Sequence, residues 1–302
     1  MLTDFYESLP DYAHMQAGIR RLGDQYAGLK IFPIGKSVLG RDITALSIGN
    51  PDNATLYVGA THGLEWLTSL ILLRFLDVIL HALQCDCCVS DINMRRALHR
   101  RSLVVVPCLN PDGVEIALHG PDSAGEQADF VRAICGERDS RLLWQANAHG
   151  VDINHNFDAG WDTLRQMETD SGIVRPSYTR YGGPHPHSEP ETAAIATFCL
   201  THQPRTLYAL HSQGEEIYYH YGETTPTRSK MIAQVLAASS GYKIARPDGL
   251  ASHGGLKDWY VRSFCRPGFT IEMGLGKNPL GLEQFRPIYS QIEEMLVLAA
   301  LL

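Results

Sequence analysis

The sequence predicts an open α/β fold in which a largely parallel sheet is flanked by helices. The apolar run 56–60 has the composition of a strand buried on both faces, which is typical of a parallel sheet. A longer apolar segment, 67–83, follows it and predicts a helix. Residues 102–109 are rich in valine and predict a second buried strand. We see no internal repeat and no linker, so we expect a single domain over residues 1–302.

The remaining elements are predicted from the spacing of apolar residues, which differs between strands and helices. Further strands are predicted at residues 31–35, 43–49, 206–210 and 268–274. Helices are predicted over the lead-in 1–28, over 227–240 and over the tail 287–302. Two segments, 119–147 and 175–190, are predicted to be loops near the site. Ser188 is a candidate N-cap, with Glu191 at capping-box spacing.

Asn110-Pro111-Asp112-Gly113 follows the strand at 102–109 and is a strong turn signal. Polar residues also follow three other predicted strands. They are His62 with Glu65, then His211, then Glu272. Because the carboxyl ends of parallel strands share one edge of a sheet, we expect these groups to meet in one crevice.

Composition places the chain among ordinary soluble globular proteins. Of its 302 residues, 44% are hydrophobic and 20% are charged. The net charge of −7 and the lack of a Lys/Arg-rich stripe argue against nucleic acid as a partner. Segment 67–83 is about long enough to span a bilayer, but Arg74 and Asp77 interrupt it. We therefore expect a buried helix and no membrane partner.

The N-terminal sequence lacks a basic region followed by an apolar core, so no signal peptide is evident. Seven cysteines are an odd number and too few for a disulfide framework. Both features predict a cytoplasmic protein with reduced thiols. Cys85, Cys87 and Cys88 form a cluster, but the sequence has no second pair at zinc-ribbon spacing. The oligomeric state is not predicted.

Two imidazoles and one carboxylate form the ligand set of a catalytic zinc site, which keeps a fourth position for water. His62, Glu65 and His211 are therefore candidate ligands of one Zn²⁺ ion. Glu272 is the candidate general base, which takes a proton from water and passes it to a leaving amine. Together they predict the hydrolysis of an amide bond.

The order of these motifs resembles the zinc carboxypeptidase family. The shared pattern is His-x-x-Glu-Trp, Asn-Pro-Asp-Gly, Val-Asp-x-Asn, a strand ending in His-Ser, and Phe-Thr-x-Glu, over roughly residues 40–300. The resemblance implies that His62, Glu65 and His211 bind zinc and that Glu272 is the general base. It also implies the family's fold, a mixed, mostly parallel eight-stranded sheet flanked by helices.

Further strings resemble a bacterial branch of the family that cleaves cell-wall peptides. They are WQAN from Trp144, GGP from Gly182 with SEPE from Ser188, HSQGEEIYY from His211, GGLKDW from Gly254 and PGFTIEMGLGKNPL from Pro267. Enzymes of this branch cleave the amide bond between the γ-carboxyl of D-glutamate and the α-amino group of a diamino acid such as meso-diaminopimelate. The resemblance therefore implies a murein-derived peptide as substrate.

Digestive members of the family carry Asn-Arg where this chain has Asn154-His155, and their arginine binds the terminal carboxylate bidentately. They also carry a tyrosine ahead of Asp-Trp, whereas His253 is the polar ring between Gly249 and Trp259 here. We therefore expect a different carboxylate site, with Asn154, His155 and His253 as candidate substrate-binding residues.

Lys257 falls, by resemblance, where the family's specificity pocket is lined. We hypothesise that Lys257 pairs with a substrate carboxylate and that Glu215 or Glu216 pairs with an ammonium. Solvated loop charges are the competing interpretation. The oxyanion donor has no matched position. Candidates for that role are Arg132, Arg138, Arg141, Asn147 and His149, of which Asn147 is taken as a substrate-binding residue.

The leading interpretation is a zinc peptidase acting on murein-derived peptides. A metallocarboxypeptidase or N-acyl amino acid deacylase of broader specificity is the first alternative. A catalytically silent peptide-binding protein is the second, and it is disfavoured because the three ligand residues and Glu272 are all present.

Overall fold

A computed structural model describes the backbone of residues 1–302 and every side chain except that of Thr3. The strands are β1 (Leu29–Lys36), β2 (Asp42–Ile48), β3 (Thr55–Val58), β4 (Cys88–Val89), β5 (Ile92–Asn93), β6 (Leu103–Val106), β7 (Thr206–His211), β8 (Glu216–Tyr218), β9 (Lys243–Ala245) and β10 (Gly268–Glu272). The helices are α1 (Tyr12–Gln25), α2 (Leu67–Cys85), α3 (Met94–Ala97), α4 (Pro111–His119), α5 (Ala128–Cys135), α6 (Trp161–Asp170), α7 (Pro190–His202), α8 (Arg228–Ser240), α9 (Leu256–Phe264) and α10 (Phe285–Leu301).

An eight-stranded sheet crosses the molecule in the order β1-β2-β6-β3-β7-β10-β8-β9. The central strands β6, β3, β7 and β10 run parallel to one another. Strands β2 and β8 pair antiparallel with the outer members of this group. The central strands are nearly continuous apolar runs because both of their faces are covered. The predicted mixed, mostly parallel sheet flanked by helices is confirmed.

Two apolar layers cover the two faces of the sheet. On one face Tyr57, Tyr208 and Phe269 stack in a row, with ring centroids 5.3 and 5.1 Å apart, and pack with α2 and α10. On the other face Leu56 and Val58 pack with residues of α7 and α9. Side chains alternate between the layers because successive residues of a strand point to opposite faces.

Helix α2 is the predicted apolar helix, and its interruption by Asp77 has a structural explanation. Segment Gly63–Cys85 has the length and apolarity of a membrane span, but 78% of its most apolar window is buried inside this fold. The Asp77 carboxylate accepts hydrogen bonds from the Leu2 amide at 2.8 Å, the Tyr6 hydroxyl at 3.2 Å and the Tyr26 hydroxyl at 3.0 Å. The N-terminal segment is therefore held to the core helix by one buried acid.

The Asn110–Gly113 turn signal begins a helix, which corrects the sequence interpretation. Asn110 is the N-cap of α4, and its side chain accepts a hydrogen bond from the Gly113 amide at 2.9 Å. Pro111 occupies the first helical turn, where its missing N–H is no loss. The same residue types favour a tight turn and a helix start, and here the helix continues to His119.

Segment 119–147 was expected to be a loop, but it contains α5 and short 3-10 turns. Helix α5 is short and buries little more than Val131 and Cys135, one turn apart. So brief an apolar stripe gives little periodic signal in the sequence. Segment 175–190 runs as irregular chain up to the start of α7 at Pro190.

The capping box predicted at Ser188 does not form. Glu189 is the N-cap of α7, and Pro190 opens the helix. The Ser188 hydroxyl instead donates to the Glu189 carboxylate at 2.7 Å, and Glu191 accepts from the Val38 amide at 3.1 Å. Glu191 is thus drawn into a tertiary contact with the turn between β1 and β2.

Candidate metal centre

His62 and Glu65 lie on the short link between β3 and α2. His62 is in extended conformation, and Gly63–Glu65 form a 3-10 turn directly before Trp66 and the helix. A Cβ atom on Gly63 would meet the Gly113 carbonyl oxygen at 2.3 Å, so only glycine allows α4 to approach this closely. The link is therefore fixed by packing as well as by the strand and helix it joins.

His62, Glu65 and His211 converge at the carboxyl end of the sheet. The Glu65 carboxylate lies 2.9 Å from His62 Nδ1 through one oxygen and 2.9 Å from His211 Nδ1 through the other. Ligand atoms of the three residues all lie within 4.8 Å of one another. All three side chains are largely buried, with 13% of His62, 4% of Glu65 and 1% of His211 exposed.

This donor set fits zinc. Two imidazole nitrogens and a carboxylate oxygen are the ligands of catalytic zinc sites, which keep a further coordination position open. The group also opens into a cavity through His62, so a substrate can approach the same point. The predicted ligand residues are thus brought together by the fold.

Charge complementarity stabilises the group. Burial alone would raise the pKa of Glu65, but the two imidazoles outweigh it and lower the pKa to about 2. Burial alone would lower the pKa of His62, but the Glu65 and Asp152 carboxylates outweigh it and raise that pKa. Glu65 is therefore a carboxylate, the form that binds a metal.

Asp152 is a functional residue that the sequence did not reveal. Its carboxylate lies 3.1 Å from His62 Nε2 and accepts from the amides of Asn154 and Arg180 at 3.1 and 3.0 Å. Such a carboxylate fixes the orientation and the tautomer of a metal-binding histidine. The Val-Asp-x-Asn segment marked this position, but its contact with a residue 90 positions away is visible only in the fold.

Glu272 ends β10, next to the strand that carries His211. The two residues are register partners across the parallel pair β7 and β10. Glu272 lines the same cavity as His62, and burial, reinforced by the nearby Glu65 carboxylate, raises the pKa of Glu272. The candidate base is thus set beside the ligand group by the sheet itself.

The cavity has a volume of about 470 Å³ and extends away from His62 and Glu272. Four of the predicted substrate-binding residues line it, namely Asn154, His155, His253 and Lys257. The Asn154 side-chain oxygen accepts from the Leu256 amide at 3.1 Å, which ties the Asp152 segment to the start of α9.

Lys257 is buried in the cavity wall rather than solvated. Only 4% of its side chain is exposed, and its ammonium pairs with the Asp258 carboxylate and donates to the His220 carbonyl at 3.0 Å. The ammonium also lies 5.8 Å from the centre of the Tyr221 ring. A loop charge free in water is therefore the wrong description of Lys257.

His155 is held by α6. Its Nδ1 lies 3.1 Å from the buried Glu168 carboxylate and 3.0 Å from the Arg180 carbonyl. Burial alone would lower the pKa of His155, but the Asp152 and Glu168 carboxylates outweigh it and raise the pKa. His155 is therefore held on the cavity wall beside a buried carboxylate.

Two predicted substrate-binding residues lie elsewhere. Asn147 is fully buried and donates to the Glu189 and Glu191 carboxylates at 2.7 and 3.0 Å, so its amide is engaged in the fold. Glu215 lies outside the cavity lining, and its carbonyl accepts from the Lys243 amide at 2.9 Å between β8 and β9. This placement does not support direct substrate contact by either residue.

The arginines considered for the oxyanion role lie away from the cavity. Arg132 pairs with Asp122 and Asp129, Arg141 pairs with Asp139, and Arg138 lies over the Tyr178 ring. His149 contacts Glu189 at 2.8 Å. Gln145 and Arg180 line the cavity instead.

Comparison with known proteins agrees with this geometry. The family model of zinc carboxypeptidases matches residues 15–297. The "Gamma-D-glutamyl-L-diamino acid endopeptidase 1" of Lysinibacillus sphaericus is 32% identical over 93% of this chain and 69% of its own. The "Uncharacterized protein YqgT" of Bacillus subtilis (strain 168) is 31% identical over 96% of this chain and 77% of its own.

A solved structure shares the fold. The carboxypeptidase A of Helicoverpa armigera superposes with a TM-score of 0.72 at 19% sequence identity, over 98% of this chain and 73% of its own. The family match spans nearly the whole chain and includes the converging ligands and Glu272. The chain belongs to the zinc carboxypeptidase family and is a zinc metallopeptidase that binds one Zn²⁺ ion.

Proposed function

We propose that the protein hydrolyses the amide bond between the γ-carboxyl of D-glutamate and the α-amino group of a diamino acid in murein-derived peptides. The proposal is supported by the relative from Lysinibacillus sphaericus, which is named a γ-D-glutamyl-L-diamino acid endopeptidase. It is also supported by the charges that line the cavity beyond the metal ligands. We further propose that soluble peptide fragments in the cytoplasm are the substrates.

The observation that carries the proposal is the buried Lys257–Asp258 ion pair in the cavity wall. A diaminopimelate side chain ends in an ammonium and a carboxylate on one carbon, so it can pair with both members of such an ion pair. An apolar side chain can pair with neither of these charges, and a singly charged side chain can pair with only one of them. The pair therefore favours a zwitterionic side chain over the residues that digestive enzymes remove.

His155 contributes a further hydrogen-bond donor. With Glu168 and the Arg180 carbonyl on Nδ1, its other ring nitrogen is the one available to a ligand on the cavity side. A single N–H donor binds a carboxylate at one oxygen and gives less geometric selection than the fork of an arginine. We propose that it binds the α-carboxylate of the diamino acid.

The reaction needs a base beside the scissile carbonyl. His62, Glu65 and His211 would hold the zinc ion, which would supply Lewis-acid chemistry by lowering the pKa of water and polarising the carbonyl. Glu272 takes a proton from the attacking water as the water oxygen forms its bond to the carbonyl carbon. The carbon–nitrogen bond then breaks, and Glu272 returns the proton to the leaving amine. Asp152 holds the His62 ring throughout.

The test is to incubate the zinc-loaded protein with L-Ala-γ-D-Glu-meso-diaminopimelate and to detect L-Ala-D-Glu by mass spectrometry. An N-blocked dipeptide with an ordinary C-terminal residue serves as the competing substrate. We expect the γ-D-glutamyl peptide to be cleaved at least about tenfold faster, which corresponds to about 1.4 kcal/mol. Equal rates, or cleavage of the dipeptide alone, would point to the broader carboxypeptidase.

Lys257→Ala tests the specificity argument in the same assay. Substrates with diaminopimelate, lysine or alanine after the γ-glutamyl bond are compared. We expect the variant to lose its preference for diaminopimelate, because the buried cation that meets the side-chain carboxylate is gone. Glu223→Ala, a change at an exposed residue, is the control and should retain the preference. An unchanged ratio in Lys257→Ala would remove the pocket argument.

A further inference from the structure

A second groove opens beside the catalytic cavity. It has a volume of about 670 Å³ and shares Gln145 and Arg180 with the cavity. Its other lining residues include Leu64, Leu142, Lys277 and Asn278. We call it the acyl groove, because the diamino acid side is assigned to the cavity near Lys257. A peptide bound across His62 would extend into it on the other side of the scissile bond.

The acyl groove is cationic. Its charged lining residues are Arg180 and Lys277, both exposed. Among the described residues, neither side chain takes part in an ion pair. By contrast, Arg132 and Arg141 pair with aspartates. Two unpaired cations in a groove favour an anionic ligand.

Both cations stand on chain segments that are fixed to the metal centre. The Arg180 amide donates to Asp152, the carboxylate that holds His62, and its carbonyl contacts His155. The preceding Thr179 hydroxyl donates to the Gln145 side chain. The position of Arg180 is therefore set by the same contacts that orient His62.

Lys277 is anchored in a similar way. The next residue, Asn278, accepts from the Ser212 hydroxyl at 2.8 Å and donates to the Ser212 carbonyl. Ser212 directly follows the ligand His211. The two cations thus stand on different segments, and each segment is tied to a residue that contacts or adjoins a metal ligand.

A γ-linked glutamyl residue carries the matching anion. Because its chain continues through the side-chain carboxyl, its α-carboxylate stays free on the acyl side, a short flexible arm from the scissile carbonyl. An α-linked peptide has no charge at that place. We infer that Arg180, assisted by Lys277, binds this α-carboxylate and so selects γ-glutamyl over α-linked acyl groups. The inference rests on the proposed function and extends it to the acyl side.

A binding experiment tests the inference without turnover. The affinities of L-Ala-D-Glu and of its α-amide, L-Ala-D-isoglutamine, for the zinc-loaded protein are measured by calorimetry. Both peptides keep the γ-carboxylate, so they differ only at the group assigned to Arg180. We expect the acid to bind at least about tenfold more tightly than the amide.

Variants locate the effect. Arg180→Gln should reduce the preference to less than about threefold, Arg180→Lys should restore part of it, and Lys277→Gln should have a smaller effect. Arg175→Gln removes an exposed arginine that lines a neighbouring groove and not this one, so it should retain the preference. Equal affinities for acid and amide in the wild type, or a preference that survives in Arg180→Gln, would overturn the inference.

Turnover separates this inference from the proposed function. If the acid is bound selectively through Arg180 but the γ-glutamyl peptide is not cleaved, the acyl site stands and the proposed reaction is wrong. If the peptide is cleaved as fast with D-isoglutamine as with D-glutamate, and binding shows no preference, the reaction stands and the acyl site is wrong.

Discussion

Two buried acids, Asp77 and Glu65, lie close in sequence and serve different ends. Asp77 is surrounded by donors from the N-terminal segment, the Leu2 amide and the hydroxyls of Tyr6 and Tyr26. Glu65 faces two imidazoles, whose Nδ1 atoms converge with its oxygens on one point. A carboxylate saturated by fixed donors stabilises a fold, whereas converging electron pairs are suited to a cation.

The comparison predicts that catalysis and folding can be lost separately, and Glu272→Gln should show the largest effect on catalysis. Loss of the base should lower kcat by about a thousandfold, or about 4 kcal/mol, because the amide cannot accept the water proton. Zinc content and unfolding temperature should stay as in the wild type. The control is Glu223→Gln, at an exposed position. A variant that retains more than about a tenth of the activity would place the base elsewhere.

Asp77→Ala should affect folding and not the metal centre. Three buried donors lose their acceptor, so we expect the free energy of unfolding in urea to fall by about 3 to 4 kcal/mol. The folded fraction should bind zinc with unchanged stoichiometry. Asp24→Ala, at an exposed position of α1, should change stability by less than about 0.5 kcal/mol. Similar losses in both variants would contradict the role of Asp77.

Glu191 is a third buried acid, and burial changes its pKa. Burial raises its pKa from 4.5 to about 7, although Asn147 and the Val38 amide donate to it. The folded state therefore binds this proton more tightly than the unfolded state does. The resulting stability is complete below about pH 4.5 and is lost as pH rises to about 7, by about 3 kcal/mol at most.

Urea unfolding at a series of pH values between 4 and 8 measures this effect. In Glu191→Gln the side chain cannot titrate. The free energy of unfolding of this variant should therefore depend less on pH across the window than that of the wild type. The Glu189 carboxylate raises the pKa of His149, so this histidine also affects the pH dependence, and the difference between the two proteins is the quantity to compare. Parallel curves would show that Glu191 is not the titrating group.

The smallest effect is expected at Asp152, which touches the metal centre only through His62. Asp152→Asn keeps the shape of the side chain but weakens its hold on the ring. We expect zinc affinity, measured by competition with a chelator, to fall about tenfold, or about 1.4 kcal/mol. Asp158→Asn, at an exposed aspartate, should leave the affinity unchanged. Equal affinities in all three proteins would show that Asp152 does not contribute to zinc binding.

The sequence was sufficient for the central strands and for the placement of His62, Glu65, His211 and Glu272 at one edge of the sheet. Long apolar runs mark buried parallel strands, and polar residues at their ends can share only one edge of the sheet. The relation of Asp152 to His62 was hidden because it depends on a tertiary contact across 90 positions. Such contacts leave no local pattern.

Local signals failed where tertiary contacts competed with them. The residues from Asn110 to Gly113 suit a turn and a helix start equally well, and packing of the following residues decides for the helix. The capping box at Ser188 lost to contacts of Glu191 with Val38 and Asn147. The side-chain amide of Asn147 donates to Glu189 and Glu191 inside the fold. The residues next to Asn147 in the sequence do not indicate these contacts.

The register between β7 and β10 has a practical consequence for redesign. His211 and Glu272 are register partners on adjacent strands. The distance between their backbones therefore follows from the spacing of paired strands, about 4.8 Å. The residues that we propose to distinguish substrates, Arg180 and Lys277 on one side and Lys257 on the other, stand on loops or at a helix start. Replacing these loops should therefore change which amides the enzyme cleaves, while the distance between His211 and Glu272 stays the same.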